Sequence, residues 1–380
     1  MNHLSIPGNI YWTTHQQFTK ALSEQLERKN VLLFITSSNA KRSSLTEWID
    51  ELKKKTKITW IDQIPSNPTY TDLLHALCRD DYEVPDLVMA IGGGSTIDMA
   101  KSCVALWYLK DNFKLDASMI LQSIKTKEYL DHRINIPIYA LPTTAGTGSE
   151  VTRWATVWDT DGQAKYSIEA EKLCPARAYI IPEYTMHMPK RLTLATGLDA
   201  LSHAIEAYWA KTSNPMVKEL SKIAIRLIIE HLPKVVENGD DLHSREKMCM
   251  GSLFAGLAFA NTRTTACHSL SYPLTMRFNV EHGLACAISL AKVMEKNLPM
   301  IQDSEGLLEV LQVKNSEELQ EWLDNVTKDI VRLRLSTFGI EEKDISTLVD
   351  LSFTQGRMDN NPYLLSEEEV RKMLCELLQE

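Results

Sequence analysis

The stretch DLVMAIGGGSTIDMAK, residues 86–101, changes character halfway through. Apolar residues lead into three glycines, then Ser95, then a helical text beginning near Thr96. A short apolar run that ends in glycines reads as a buried strand handing over to a helix. Glycines at such a junction let a diphosphate approach the backbone, and the positive end of the following helix attracts its charge. The pattern is neither GxGxxG nor a Walker A sequence, and alone it fits a tight structural turn equally well.

The same handover recurs along the first half of the chain. NVLLFITSS (30–38), TKITWIDQI (56–64), INIPIYALPTTAGTGSE (134–150) and ARAYIIPEYTM (176–186) each contain a strand-like apolar run. Strands separated by helix-length segments imply βαβ crossovers and a mostly parallel sheet. PTTAGTGSE (142–150) is a second small-residue loop at a strand end, and open α/β sheets bind their ligands at that edge. The hydroxyls of Thr143, Thr144 and Thr147 can donate to a cofactor there, so a nucleotide site is favoured. From Pro189 onward the text is helical, and LSEEEVRKMLCELLQE opens with a capping box of Ser366 and Glu369. The expectation is an α/β, Rossmann-like domain with a mostly parallel sheet over residues 1–182. An all-α domain follows over 183–380.

The chain has 380 residues, 44% hydrophobic and 24% charged, which suits two globular domains. With 41 Lys and Arg against 50 Asp and Glu the net charge is −9, which argues against a nucleic-acid partner held by bulk electrostatics. A local basic pocket for a small anion stays open. The seven cysteines are scattered without a CxxC pair, as expected of reduced thiols in a cytoplasmic protein. MNHLSIPGNIYWTTHQQ lacks the pattern of a signal peptide. No apolar run approaches the roughly 20 residues that span a bilayer, so no membrane partner is expected.

GLDALSHAIEAY (197–208) places Asp199 and His203 four residues apart, on one face of a helix. Alone, the pair also fits a core histidine satisfied by a carboxylate, a contact worth only about 0.2–0.5 kcal/mol. CHSLSYPLTMRFNVEHG (267–283) adds His268 and His282 in small-residue or turn contexts. One carboxylate and three imidazoles suit a single divalent ion such as Fe(II), Zn(II) or Mn(II), with a position left for water or substrate. The other histidines (3, 15, 75, 132, 187, 231 and 243) show no such grouping and read as structural or surface residues.

Taken in order, GGGSTIDMAK, PTTAGTGSEVT, GLDALSHAIEAY and HSLSYPLTMRFNVEHG resemble the iron-containing (group III) alcohol dehydrogenase family. NPYLLSEEEV resembles that family's last helix, so the likeness extends across nearly the whole chain. The resemblance implies a Rossmann-like domain, an all-helical domain and a catalytic metal, iron above all, in the cleft between them, an architecture shared with dehydroquinate synthase. Carried over by position, it implies Asp199, His203, His268 and His282 as metal ligands. Gly92, Gly93, Gly94, Ser95 and Asp98 match the pyrophosphate loop, Thr143, Thr144 and Thr147 the second cofactor loop, and Asn67 and Lys165 further cofactor positions. Ser37 stands where NAD-specific relatives carry an acidic residue, and Lys41 and Arg42 follow, so NAD(H) is favoured with NADP(H) left open. A homo-oligomer, a dimer or larger, is also implied.

Two departures from the family text bear on the substrate. Tyr272 stands where many members have a further histidine, credited with cofactor contact or proton relay. It is either a replacement proton donor or a packing aromatic. NTRTTACH (261–268) places Arg263 among Thr262, Thr264 and Thr265, where relatives have small neutral residues. A guanidinium with hydroxyls suits a tetrahedral oxyanion, and Arg153 is a second candidate; a solvated arginine is the other reading. The text TRTTACHSLSYPLT resembles the phosphonoacetaldehyde and sulfoacetaldehyde reductases. The expected activity is NAD(P)H-linked, metal-dependent reduction of a small aldehyde, an anionic one such as sulfoacetaldehyde (to isethionate) or phosphonoacetaldehyde (to 2-hydroxyethylphosphonate). The alternatives are a generic primary-alcohol dehydrogenase, a dehydroquinate synthase-like lyase, and a binding module without catalysis.

Overall fold

Eight strands form in the computed structural model, which describes residues 4–6, 8–79, 83–111, 114–133, 135–159, 161–162 and 164–379. They are β1 (Asn9–Trp12), β2 (Asn30–Ile35), β3 (Lys57–Ile61), β4 (Leu87–Gly92), β5 (Ile138–Pro142), β6 (Trp154–Asp159), β7 (Ala164–Glu169) and β8 (Arg177–Ile180). Six make one sheet in the order β1-β8-β5-β4-β2-β3, and every neighbouring pair is parallel. The apolar text of β2 and β4 is continuous because helices cover both faces. Leu32, Phe34, Val88 and Ala90 point into a layer with Ile97, Met99, Ala100 and Cys103 of the helix Gly94–Ala105. Val31, Leu33, Ile35, Met89 and Ile91 point the other way, onto Phe18 and Leu22 of the helix His15–Gln25 and Leu45, Trp48 and Ile49 of Ser43–Lys53.

Strand order fixes where a ligand can sit. From β2 the chain steps outward to β3, then returns past β2 to β4 and continues the opposite way to β5 and β8. Progress reverses between β2 and β4, so the crevice at that switch lies outside their carboxyl ends. In the β4–β5 register Gly92 pairs with Pro142, which sets the starts of the two small-residue loops side by side.

The strands read from the sequence form at 30–35, 57–61, 87–92, 138–142 and 177–180, each shorter than its apolar text. The edge strand β1 and the antiparallel hairpin β6–β7 escaped that reading. NIYW is mostly exposed, and the alternation of the hairpin strands is blurred by charged and aromatic residues. His3 and Ile134 lie outside the described residues.

The chain divides into two compact units, Ile6–Thr144 with Ser149–Thr185, and the described residues of Met1–Ser5, Ala145–Gly148 and Met186–Glu380. The second unit is helical and organised about Lys190–Trp209, which is buried over nearly its whole length. Pro215–Glu237, Leu242–Phe259 and His282–Ile288 pack on it. A helix enclosed on all sides needs a largely apolar circumference, and this text of Leu, Ala and Ile supplies one. At the C-terminal helix the capping box forms, with Ser366 N–H donating to Glu369 and Glu369 N–H to the Ser366 hydroxyl. Among the described residues no helix is long and apolar enough to cross a membrane.

In the sheet unit a buried lysine ties the glycine-loop helix to the residues after the second loop. Lys101 Nζ donates to the carbonyls of Ser149, Thr152 and Trp154 and to the Thr152 hydroxyl. Beside this knot, burial pushes the Glu150 carboxyl up to about 7, against the pull of Lys101. Glu150 therefore keeps its proton longer in the folded chain than in the unfolded one. Its contribution is complete below the unfolded value of 4.5 and is lost as pH rises through about 7. Glu150→Gln is expected to flatten the stability–pH curve over that window, gaining up to about 3 kcal/mol at pH 8. Denaturant melts of both proteins at pH 4.5 and 8 check this; equal gains at both pH values would refute it.

Candidate metal centre and cofactor edge

Asp199, His203 and Glu206 occupy one face of the central helix over two turns. Each is at most 4% exposed, which sets a steep requirement for partners. Glu206 meets it with four donors. Its Oε1 accepts from the Thr265 hydroxyl (2.8 Å), Cys267 N–H (2.7 Å) and His268 N–H (3.3 Å), and its Oε2 bonds to His268 Nδ1. Burial acts to raise the Glu206 carboxyl, but the His268 imidazole and these hydrogen bonds outweigh it and hold it below the usual range. An ionised carboxylate can only accept, so His268 carries a proton on Nδ1 and turns Nε2 the other way.

That nitrogen faces Asp199. Asp199 Oδ1 lies 3.6 Å from His268 Nε2, 3.9 Å from His203 Nε2 and 3.9 Å from His282 Nε2. The donor atoms of Asp199, His268, His282 and Cys286 lie within 4.8 Å of one another. His203 adjoins this set, its ring stacked on His268 with centroids 4.5 Å apart and on Phe259 at 4.1 Å. Asp199 Oδ1 and His268 Nε2 are buried without a hydrogen-bond partner among the described residues. Ligands at ~2.0–2.3 Å from a common tetrahedral ion stand roughly 3.3–3.8 Å apart, so the pocket needs only a small contraction to grip one. Burial acts to raise Asp199, but the His203, His268 and His282 imidazoles overrule it and hold the carboxyl well below its ordinary range. Burial pushes His203 down to about 4, leaving it neutral and able to ligate near pH 7.

His282 opens its helix beside a glycine that cannot be replaced. A Cβ on Gly283 would stand 1.9 Å from the Ala195 carbonyl oxygen and 2.9 Å from the Asp199 Cβ. That close approach is what brings His282 to Asp199. Cys286 follows one turn later, at the same i, i+4 spacing that links Asp199 and His203. Glu206 and Cys286 both escaped the sequence reading. Each sits a helical turn from a residue it did single out.

Of the expected cofactor residues of the sheet unit, the glycines, Ser37, Asn67, Ser95, Thr143 and Thr144 lie at the carboxyl ends of β2 and β4 or in the loops beside them. Gly93 begins the glycine-loop helix, and a Cβ there would meet Thr144 at 3.2 Å, so the two loops touch. Asn67, at a positive φ of 56°, donates its N–H to the Ser95 hydroxyl (3.3 Å). Thr143 accepts from Asn39 Nδ2 at 3.2 Å. Ser37 lies in the turn of helix after β2, its hydroxyl directed at the Asp62 carbonyl (3.4 Å). The first amides of a helix have no intrahelical acceptor, so Gly94–Ala105 aims its N–H groups at this edge. Asp98 turns toward the hairpin, accepting from Thr156 N–H (2.9 Å), and Lys165 lies on β7 with Nζ 6.0 Å from the Trp158 ring. Thr147 belongs to the helical unit.

The departures from the family text are also located. Tyr272 is buried, one turn beyond His268, and stacks on His282 with centroids 6.0 Å apart and planes 12° off parallel. Arg263 is half-buried at a positive φ of 66°. Its threonine neighbours are largely committed. Thr262 donates to the Arg263 carbonyl, Thr265 bonds to Glu206 and Trp209, and Asn360 clamps the loop through the carbonyls of Thr262 and Thr264. In the sheet unit Arg153 pairs with Glu169 and Glu171.

Glu206→Gln should weaken zinc binding roughly 10–100-fold while leaving the fold intact, since the amide keeps an acceptor for the backbone but no longer fixes the His268 tautomer. Chelator competition with parallel circular dichroism measures this, and unchanged affinity would remove the role assigned to Glu206.

Comparison with known proteins identifies the family. The family model for iron-containing alcohol dehydrogenase matches residues 11–182, and that for the C-terminal part of the Fe-containing alcohol dehydrogenase family matches 193–378. An NADPH-dependent butanol dehydrogenase from Clostridium saccharobutylicum is 29% identical over 98% of this chain and 97% of its own. A phosphonoacetaldehyde reductase from Streptomyces viridochromogenes is 30% identical over 82% of each. The crystal structure of a sulfoacetaldehyde reductase from Bifidobacterium kashiwanohense in complex with NAD+ superposes with a TM-score of 0.86 at 25% identity, covering 100% of this chain and 99% of that one. The chain belongs to the iron-containing alcohol dehydrogenase family and is an oxidoreductase acting on CH–OH groups.

Proposed function

We propose that the protein reduces a small anionic aldehyde with a reduced nicotinamide dinucleotide, using one divalent ion held by Asp199, His203, His268 and His282. The observation that carries the reading is the buried donor set around Asp199, two of whose atoms lack any other partner. Iron(II) is the ion we favour, with zinc or manganese able to occupy the same donors. When bound, such an ion supplies Lewis acidity at a carbonyl oxygen. The nicotinamide supplies hydride; the residues at the sheet's carboxyl edge bind the dinucleotide, which favours NAD(H) and leaves NADP(H) open.

The chain's own residues provide orientation and proton traffic. Glu206 fixes the His268 tautomer. Tyr272 holds a proton near His282 and gives it to the developing alkoxide. Arg263 anchors the phosphonate or sulfonate end, so binding energy remote from the carbonyl aligns it. The names of the Bifidobacterium and Streptomyces relatives support an anionic substrate. A second reading, a primary-alcohol dehydrogenase for uncharged substrates, is favoured by the internal commitments of Thr262 and Thr265 and by the pairing of Arg153.

An aldehyde panel with NADH and NADPH on iron- or zinc-loaded protein separates the two. Arg263→Ala is expected to lower kcat/KM for sulfoacetaldehyde or phosphonoacetaldehyde about 10–100-fold, the worth of a charge-assisted hydrogen bond, and to spare propanal. Equal losses on all aldehydes would sink the anionic reading. Tyr272→Phe should lower kcat about 100-fold with metal content unchanged; wild-type turnover would leave Tyr272 a packing residue.

A further inference from the structure

The pocket holds one donor that neither the sequence reading nor the family resemblance assigns. Cys286 is fully buried on the helix His282–Ile288, one turn beyond His282. Its Sγ lies 3.9 Å from His282 Nε2 and within the 4.8 Å that encloses the Asp199 and His268 donor atoms. A buried thiol that only fills space behaves as a small hydrophobe and needs apolar neighbours. This one faces two imidazoles and a carboxylate. Two of the surrounding atoms, Asp199 Oδ1 and His268 Nε2, are buried without a hydrogen-bond partner and converge on the same point.

We propose that Cys286 is a metal ligand, its thiolate completing a donor set of Asp199, His203, His268, His282 and Cys286. Binding forms the metal–sulfur bond and sends the thiol proton to solvent, as coordinating thiols require. A thiolate among imidazoles also widens the range of acceptable ions toward zinc and cobalt. The inference rests on the pocket being a metal centre, and its test reads the metal rather than turnover.

The experiment strips the full-length protein with a chelator, refills it with Co(II), and records the near-ultraviolet spectrum. Wild type should show a thiolate-to-cobalt charge-transfer band, retained in Cys103→Ala, whose thiol is buried in the sheet unit. Cys286→Ser and Cys286→Ala should both lose the band and bind zinc at least about 10-fold more weakly in chelator competition, a loss of the size seen when partners of metal ligands are removed. Thermal melts of the apo forms identify a variant that fails to fold, and the serine exchange stands in if the alanine one does. Cobalt bound stoichiometrically without the band, or a band unchanged in both Cys286 variants, overturns the proposal. A wild type that binds no cobalt overturns the metal centre with it, whereas metal binding with the band but no aldehyde reduction overturns only the proposed activity.

Discussion

Two carboxylates lie inside a helix with almost no contact with water, and the structure around them exists to make that tolerable. Removing an ion from water costs several kcal/mol unless hydrogen bonds or opposite charge replace its hydration. Glu206 is satisfied by the start of the helix Ala266–Phe278, whose amides and whose Thr265 hydroxyl converge on it. Asp199 has imidazoles on three sides and still keeps one bare oxygen. The difference separates their tasks. Glu206 fixes the position of His268, and Asp199 keeps an oxygen available for the cation proposed above.

The sheet unit meets a different constraint, the placement of many small loops along one edge. Parallel strands buried on both faces leave only their ends available for chemistry, and the reversal between β2 and β4 decides which ends part. The Lys101 knot then holds the chain beyond the second loop against the glycine-loop helix. Asp98, the closest carboxylate to the glycines in sequence, joins this scaffold through Thr156.

Much of this was legible from residues alone, for physical reasons that differ by element. β2 and β4 were readable because strands covered on both faces must be written in unbroken apolar text. The hairpin β6–β7 was not, because its strands carry partly exposed residues that blur any period. Asp199 and His203 stood out at a spacing of four, and His268 and His282 stood out by their small neighbours. Glu206 lay in the same quoted stretch but reads as an ordinary helix-forming residue until the helix Ala266–Phe278 arrives on it. Cys286 was weighed only against disulfide and CxxC patterns, which ignore a thiol and an imidazole one turn apart. The TRTT loop shows the converse. Its hydroxyls suggested anion chemistry, and the folded chain uses most of them to hold itself together.

The donors come from three separated segments, around 199–206, at 265–268 and at 282–286. Synthesis proceeds from the N-terminus, so the pocket has no complete form until the last of these has left the ribosome. The central helix is therefore made some eighty residues before Cys286, and its two carboxylates gain their partners only as residues 265–282 follow. On the proposed donor set, metallation is a late event in the life of the nascent chain, and a fragment ending short of residue 286 lacks part of that set whatever the state of its sheet.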